Sequence, residues 1–215
     1  MSETEDKLSE AIAMLSSPQS SKRRAGAKRL RKFGDAQAGS PLLLALKKEV
    51  QDPRTWETQY QMIAALGECG FQEALPYLHE LAHQYFKATA VYVALGDAIV
   101  RLSRKFDDDA EVLIQLIDSD NPSLIVGGTQ ALAMLRMKPH IDIIARVISY
   151  AQSAYLKDKS DWSIIWVLRA APGWKGPVVE KFLQECAKIP FETNQQIHTA
   201  TELALTGKFK KWSPA

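Results

Sequence analysis

The sequence predicts an all-α chain, an array of about six stacked helical hairpins, and three observations carry that prediction. Six leucines, Leu30, Leu66, Leu102, Leu135, Leu168 and Leu203, recur at spacings of 36, 36, 33, 33 and 35 residues. Ala27, Ile63, Ile99, Leu132, Ile165 and Ala200 stand three residues before them, and Gly26, Met62, Ala98, Ala131, Ile164 and Thr199 one further back. Positions i, i−3 and i−4 share one helix face, so one small or apolar face is repeated six times. A period in the thirties marks stacked helical repeats. Finally, no segment alternates with period two over a useful length, and no Asn-Gly or Asp-Gly hairpin signal is present.

The leucine series marks the second helix of each unit, and the segment before it supplies the first. First helices are expected near 4–15, 39–50, 72–86, 109–118, 140–155 and 175–188. Each carries a stripe, from Leu8, Ile12 and Leu15 in the first to Val178, Phe182 and Cys186 in the sixth. Second helices are expected near 19–34, 54–69, 88–105, 123–138, 160–171 and 193–206. Ser17-Pro18, Asp52-Pro53 and Asn121-Pro122 put proline at helix starts, where its missing N–H leaves no bond unmade. Gly34, Gly70, Pro139, Pro172 and Gly207 follow four residues after a marker leucine and stop the helices. The units are therefore 4–34, 39–70, 72–106, 109–139, 140–172 and 175–207, in one domain spanning 1–215 with a tail at 208–215.

Residues 17–35 read S-P-Q-S-S-K-R-R-A-G-A-K-R-L-R-K-F-G-D. This resembles the second-helix pattern of HEAT repeats: proline, arginine (Arg23), a small pair (Gly26-Ala27), leucine, and a closing apolar-Gly-Asp (Phe33, Gly34, Asp35). Residues 52–70 repeat the theme with one extra residue, and 109–122 resemble a family first helix and turn. The resemblance covers most of the chain, most clearly 17–83 and 109–138. Only the first unit has the arginine, the third is longer, and the last two diverge; terminal repeats must cap the core instead of passing it on. It implies a right-handed α-solenoid, an α-α superhelix whose second helices line a concave face.

Composition is that of a folded soluble chain, with 46% apolar and 24% charged residues. No apolar run approaches the roughly 20 residues that cross a bilayer. The acidic start, Met-Ser-Glu-Thr-Glu-Asp, is unlike a signal peptide, so the expectation is a cytoplasmic protein. Cys69 and Cys186, far apart in sequence, read as buried thiols in a reducing compartment. Net charge is only +2, but seven cations crowd residues 22–32 without an acid, and six acids crowd 107–120 without a base. The acids at 107–109 read as a solvated turn. The basic run reads as a solvated end cap or acidic-protein contact, with phosphate binding as the alternative.

Counting 100° per residue from each marker leucine, positions −9, −5, −2 and +2 point away from the core, with −6 on the flank. The first unit then offers Arg24, Lys28 and Lys32; the second Glu57, Tyr60, Gln61 and Glu68; the third Asp97 and Arg104. The fourth offers Thr129 and Gln130, the fifth Trp162, Ser163 and Trp166, and the sixth Asn194 and His198. Trp162 and Trp166 are one turn apart, with Arg169 three residues on, and Trp and Arg are the types most enriched at binding hot spots. Filling a gap between repeats is the competing reading for these tryptophans. Trp174 and Trp212 read as packing or capping residues.

His79-Glu80-Leu81-Ala82-His83 spells the zinc-protease motif H-E-x-x-H, in which two histidines one turn apart hold a metal and glutamate activates water. The remaining histidines, His140 and His198, do not follow at family spacing, and Leu75, Leu78 and Leu81 make the segment an ordinary first helix. No nucleophile elbow or phosphate-loop glycine pattern is present. The leading expectation is a non-enzymatic module, without metal or cofactor, that binds another protein or peptide. The contacting residues are expected to be Arg24, Lys28, Lys32, Tyr60, Gln61, Asp97, Gln130, Trp162, Trp166, Arg169 and His198. The alternative is a nucleic-acid binder resembling DNA-alkylation glycosylases, which carry tryptophans and an aspartate on a basic HEAT-like surface; a zinc hydrolase through His79, Glu80 and His83 is the remote third.

Overall fold

A computed structural model describes residues 3–211; Trp212 lies outside the described residues. Among the described residues there are twelve α-helices and no strand. They run α1 (Glu3–Met14), α2 (Ser20–Phe33), α3 (Gly39–Glu49), α4 (Trp56–Glu68), α5 (Leu75–Ala82) and α6 (Thr89–Ser103). Then follow α7 (Glu111–Asp118), α8 (Pro122–Leu135), α9 (Ile141–Lys157), α10 (Ser163–Ala170), α11 (Pro177–Ala187) and α12 (Gln195–Leu205). Odd-numbered helices are the expected first helices and even-numbered ones the expected second helices. None is long and apolar enough to cross a membrane.

The contacts divide the chain into two units, one ending at Ser103 and the other beginning at Arg104. In the first, α2 packs against α1 and α4, α4 against α3 and α6, and α6 against α5. In the second, α8 packs against α7 and α10, α10 against α9 and α12, and α12 against α11. Each unit is thus a row of second helices, each backed by its own first helix. The amphipathic stripes dictate this order, since each hairpin leaves an apolar face that only its neighbour covers.

Local chemistry sets the boundaries. Gly34 ends α2 in the left-handed conformation (φ 61°), and its N–H returns to the Leu30 carbonyl. Asn121 and Asn194 cap α8 and α12 by accepting from the two following free N–H groups. Pro122 is the first residue of α8, while Pro53 opens a short 3-10 turn ahead of α4. The expected helix 72–86 is shorter: a 3-10 turn at Gln72–Ala74 precedes α5, which stops at Ala82. Tyr92 explains the early stop, because its hydroxyl accepts from Phe86 N–H (3.0 Å) and donates to Gln84 O (2.7 Å), pinning the chain outside the helix.

Close approaches rest on small residues. A Cβ on Gly67 of α4 would lie 2.9 Å from the Ala98 Cα of α6, and one on Gly26 of α2 would lie 2.8 Å from the Ala11 carbonyl of α1. The residues three before each marker, Ala27 to Ala200, are all buried. Leu30, Leu66, Leu102 and Leu168 are buried as well, but Leu135 and Leu203 are half-buried and Thr199 is exposed. In α12 the buried face is instead Ile197, Ala200, Thr201 and Ala204, so the stripe there is rotated from its expected register.

Candidate functional site

The second-helix row of the first unit carries a groove between α2 and α4, about 570 Å³ in volume. Arg24 and Lys28 enter from α2, and Trp56, Glu57, Tyr60 and Gln61 from α4. Lys28 and Arg24 are one turn apart, as are Trp56 and Tyr60, so a cationic edge faces an aromatic one. Trp56 is 39% exposed and Tyr60 half-buried. Arg24 makes an ion pair with Glu57 across the opening, with both side chains well exposed. Gln61 Oε1 is buried and has no hydrogen-bond partner among the described residues.

Four residues expected at a binding face, Arg24, Lys28, Tyr60 and Gln61, are therefore brought together, while Lys32 lies exposed one turn beyond Lys28. Trp56 was not among them. It stands ten residues before Leu66, just outside the offsets that point away from the core; its one-turn spacing from Tyr60 is the signal that would have found it.

The basic run is less free than its letters suggest. Arg23 is turned inward: its guanidinium donates to both Glu49 carboxylate oxygens of α3, with Nη2 to Oε1 at 2.9 Å, and to the carbonyls of Ser17 and Pro18. Its pKa is raised by that hydrogen bond, against burial, with the Glu49 and Asp52 charges adding. Arg29 pairs with Glu10. The acidic run is likewise engaged, which corrects the solvated-turn expectation. Asp109 is buried and accepts from Lys105 and Glu111 N–H, and Asp108 accepts from Lys138 N–H.

Asp97 is a second correction. Expected to face outward, it is 3% exposed, and its Oδ2 accepts from Arg101 Nε at 2.7 Å. Arg101 Nη1 donates in turn to Glu68 Oε2 of α4 at 3.1 Å. Burial pulls the Arg101 pKa down, but the Asp97 and Glu68 charges outweigh it and the net shift is upward. The cause is the tight α4–α6 crossing at Gly67, which brings position −5 of this helix under cover. Thr129 and Ser163 are also buried, and the Thr129 hydroxyl is satisfied by bonding back to the Ile125 and Val126 carbonyls.

In the second unit, a groove of about 380 Å³ lies between α10 and α12, lined by Arg169, Gln196, Thr199 and Lys210 among others. The Arg169 guanidinium stacks over the Trp166 ring at 4.6 Å and reaches Gln196 Oε1 at 3.4 Å. Burial lowers the Arg169 pKa. Trp166 is half-buried, whereas Trp162, at the N-cap of α10, is 45% exposed. His198 meets the Phe191 ring edge-on at 5.3 Å, and Gln130 donates to Met134 Sδ at 3.7 Å. Trp174 is a packing residue, its indole N–H donating to the buried Met137 carbonyl at 2.8 Å.

His79 lies within α5 and His83 caps its C-terminal end. Burial and then the neighbouring His83 lower the His79 pKa. Among the described residues, no group of three His, Cys, Asp or Glu side chains is arranged to hold a metal ion. No family model, curated protein or solved structure matches the chain.

Proposed function

We propose that this chain is a HEAT-like helical-repeat module, its hairpins stacked in right-handed solenoid order, that binds another protein or peptide through the exposed faces of its second helices. It acts by recognition and not by catalysis. The observation that carries this reading is the α2–α4 groove. There Arg24, Lys28, Tyr60 and Gln61, singled out from repeat geometry alone, converge with Trp56 on one accessible surface. Aromatic and arginine side chains that remain exposed on a folded surface are the residue types that dominate binding energy. The Trp166–Arg169 stack, with Trp162 exposed beside it in sequence, supports the same reading for α10.

The glycosylase-like alternative loses its acid, because Asp97 is committed to Arg101 inside the fold. The test is to replace Trp162 and Trp166 by alanine and measure binding to a partner captured from the native host. Weakened binding with an unchanged melting temperature is expected. Variants that bind normally but melt early would make these tryptophans packing residues.

A further inference from the structure

We infer that the α2–α4 groove takes an acidic segment of a partner protein that carries one aromatic side chain. This rests on the protein-binding reading and specifies its ligand.

Charge argues first. Of the seven cations at 22–32, Arg23, Arg24 and Arg29 are neutralised by Glu49, Glu57 and Glu10. Lys22, Lys28, Arg31 and Lys32 carry no ion pair among the described residues, and the last three fall within one turn on one side of α2. A cationic edge left uncompensated on a chain of net charge only +2 is complementary to carboxylates. Shape argues second. A groove of 570 Å³ falls within the range of about 300–1,000 Å³ typical of ligand sites, and Trp56 and Tyr60 supply an apolar wall for one ring.

The third argument separates peptide from nucleic acid: a few unpaired cations on one helix of a chain of net charge only +2 make a small footprint for a phosphate backbone. The chain's own acidic run is a poor occupant, since Asp108, Asp109 and Asp118 are engaged by Lys138 N–H, by Lys105 and Glu111 N–H, and by Arg146. Glu57 is a resident competitor, because an arriving carboxylate must displace it from Arg24 or share it.

The probe is a fluorescein-labelled peptide of three glutamates, phenylalanine and three glutamates, followed by anisotropy. Three references accompany it: glutamine in place of glutamate, alanine in place of phenylalanine, and a ten-nucleotide oligothymidylate. The acidic peptide is expected to bind, and to bind more weakly as salt rises. The Lys28→Glu/Lys32→Glu pair should weaken it by about tenfold or more. Glu57→Gln should tighten it by about two- to fivefold, an effect that damage to the fold would not produce. Tyr60→Ala should remove the advantage of the phenylalanine peptide over its alanine version. Equal binding of the glutamine peptide, indifference to the lysine reversal, or weakening by Glu57→Gln would overturn the inference. So would tighter binding of oligothymidylate, which marks a phosphate site, or competition by self-association of the chain. If the acidic peptide fails while a host partner still depends on Trp162 and Trp166, this inference falls and the broader reading stands.

Discussion

Arg101 lies between two carboxylates, and its Nε–H donates to the buried Asp97 and compensates that charge, while Nη1 reaches the partly exposed Glu68. Removing one partner of a buried pair leaves the other uncompensated, which costs about 3–5 kcal/mol. Arg101→Leu should lower the unfolding free energy in urea by that amount, while Asp97→Leu with Arg101→Leu should recover much of it. A single variant within about 1 kcal/mol of the parent would show that the pair is not buried as described. The thiols make a separate claim about pH. Burial, helped by nearby acids, pushes Cys69 up to about 11 and Cys186 up to about 12, from an ordinary value near 9. Between those values the unfolded chain has released protons that the folded chain retains. Stability is therefore intact below the ordinary thiol pKa and falls as pH rises above it. The melting temperature should decline between about pH 8.5 and pH 10, and Cys69→Ala with Cys186→Ala should flatten that decline. An identical slope in both proteins would contradict the burial of the thiols.

At the scale of the element, the α4–α6 crossing is set by a single missing Cβ. A side chain on Gly67 meets the Ala98 backbone, which cannot rotate out of the way, so the helices themselves must separate. Gly67→Val should cost about 3 kcal/mol by overpacking. Gly70→Ala, with nothing within 4 Å of its Cβ but φ at +66°, should cost only the left-handed backbone penalty of about 1–2 kcal/mol. Equal losses in chemical denaturation would argue against the tight crossing. Nine of the twelve helices begin and end within two residues of the ranges expected from the sequence, because capping residues and breakers act within a few residues of themselves; α5, α8 and α10 differ by three or four at one end or both. Two departures have non-local causes. The end of α5 is fixed by Tyr92, a residue of the next helix. The register of α12 is fixed by the faces of α10 and α11 against which it packs, and the leucine period carries no information about those.

For the molecule as a whole, repeat arithmetic made the order of packing legible: each even helix lies beside the next even helix within its unit, backed by its odd partner. The candidate surface was half legible. Arg24, Lys28, Tyr60 and Gln61 follow from angular position, but Asp97 does not, because angle says nothing of how closely a neighbouring helix approaches. Nor does linear charge density reveal that Arg23 and Arg29 are neutralised by acids on other helices. The surface the proposal uses is a small set: Lys28, Arg31 and Lys32 on α2, Trp56 on α4, and Trp162 at the start of α10.

That set is tested most directly by binding thermodynamics with a partner purified from the host. Titration calorimetry would compare the parent chain with two groups of variants that keep its melting temperature. One group alters even helices (Lys28→Glu with Tyr60→Ala; Trp162→Ala with Trp166→Ala), and the other alters odd helices (Leu44→Ala; His79→Ala with His83→Ala). The account predicts that affinity falls about tenfold or more in the first group and stays within about twofold in the second. The reverse pattern, with affinity lost only when the odd helices change, would contradict it.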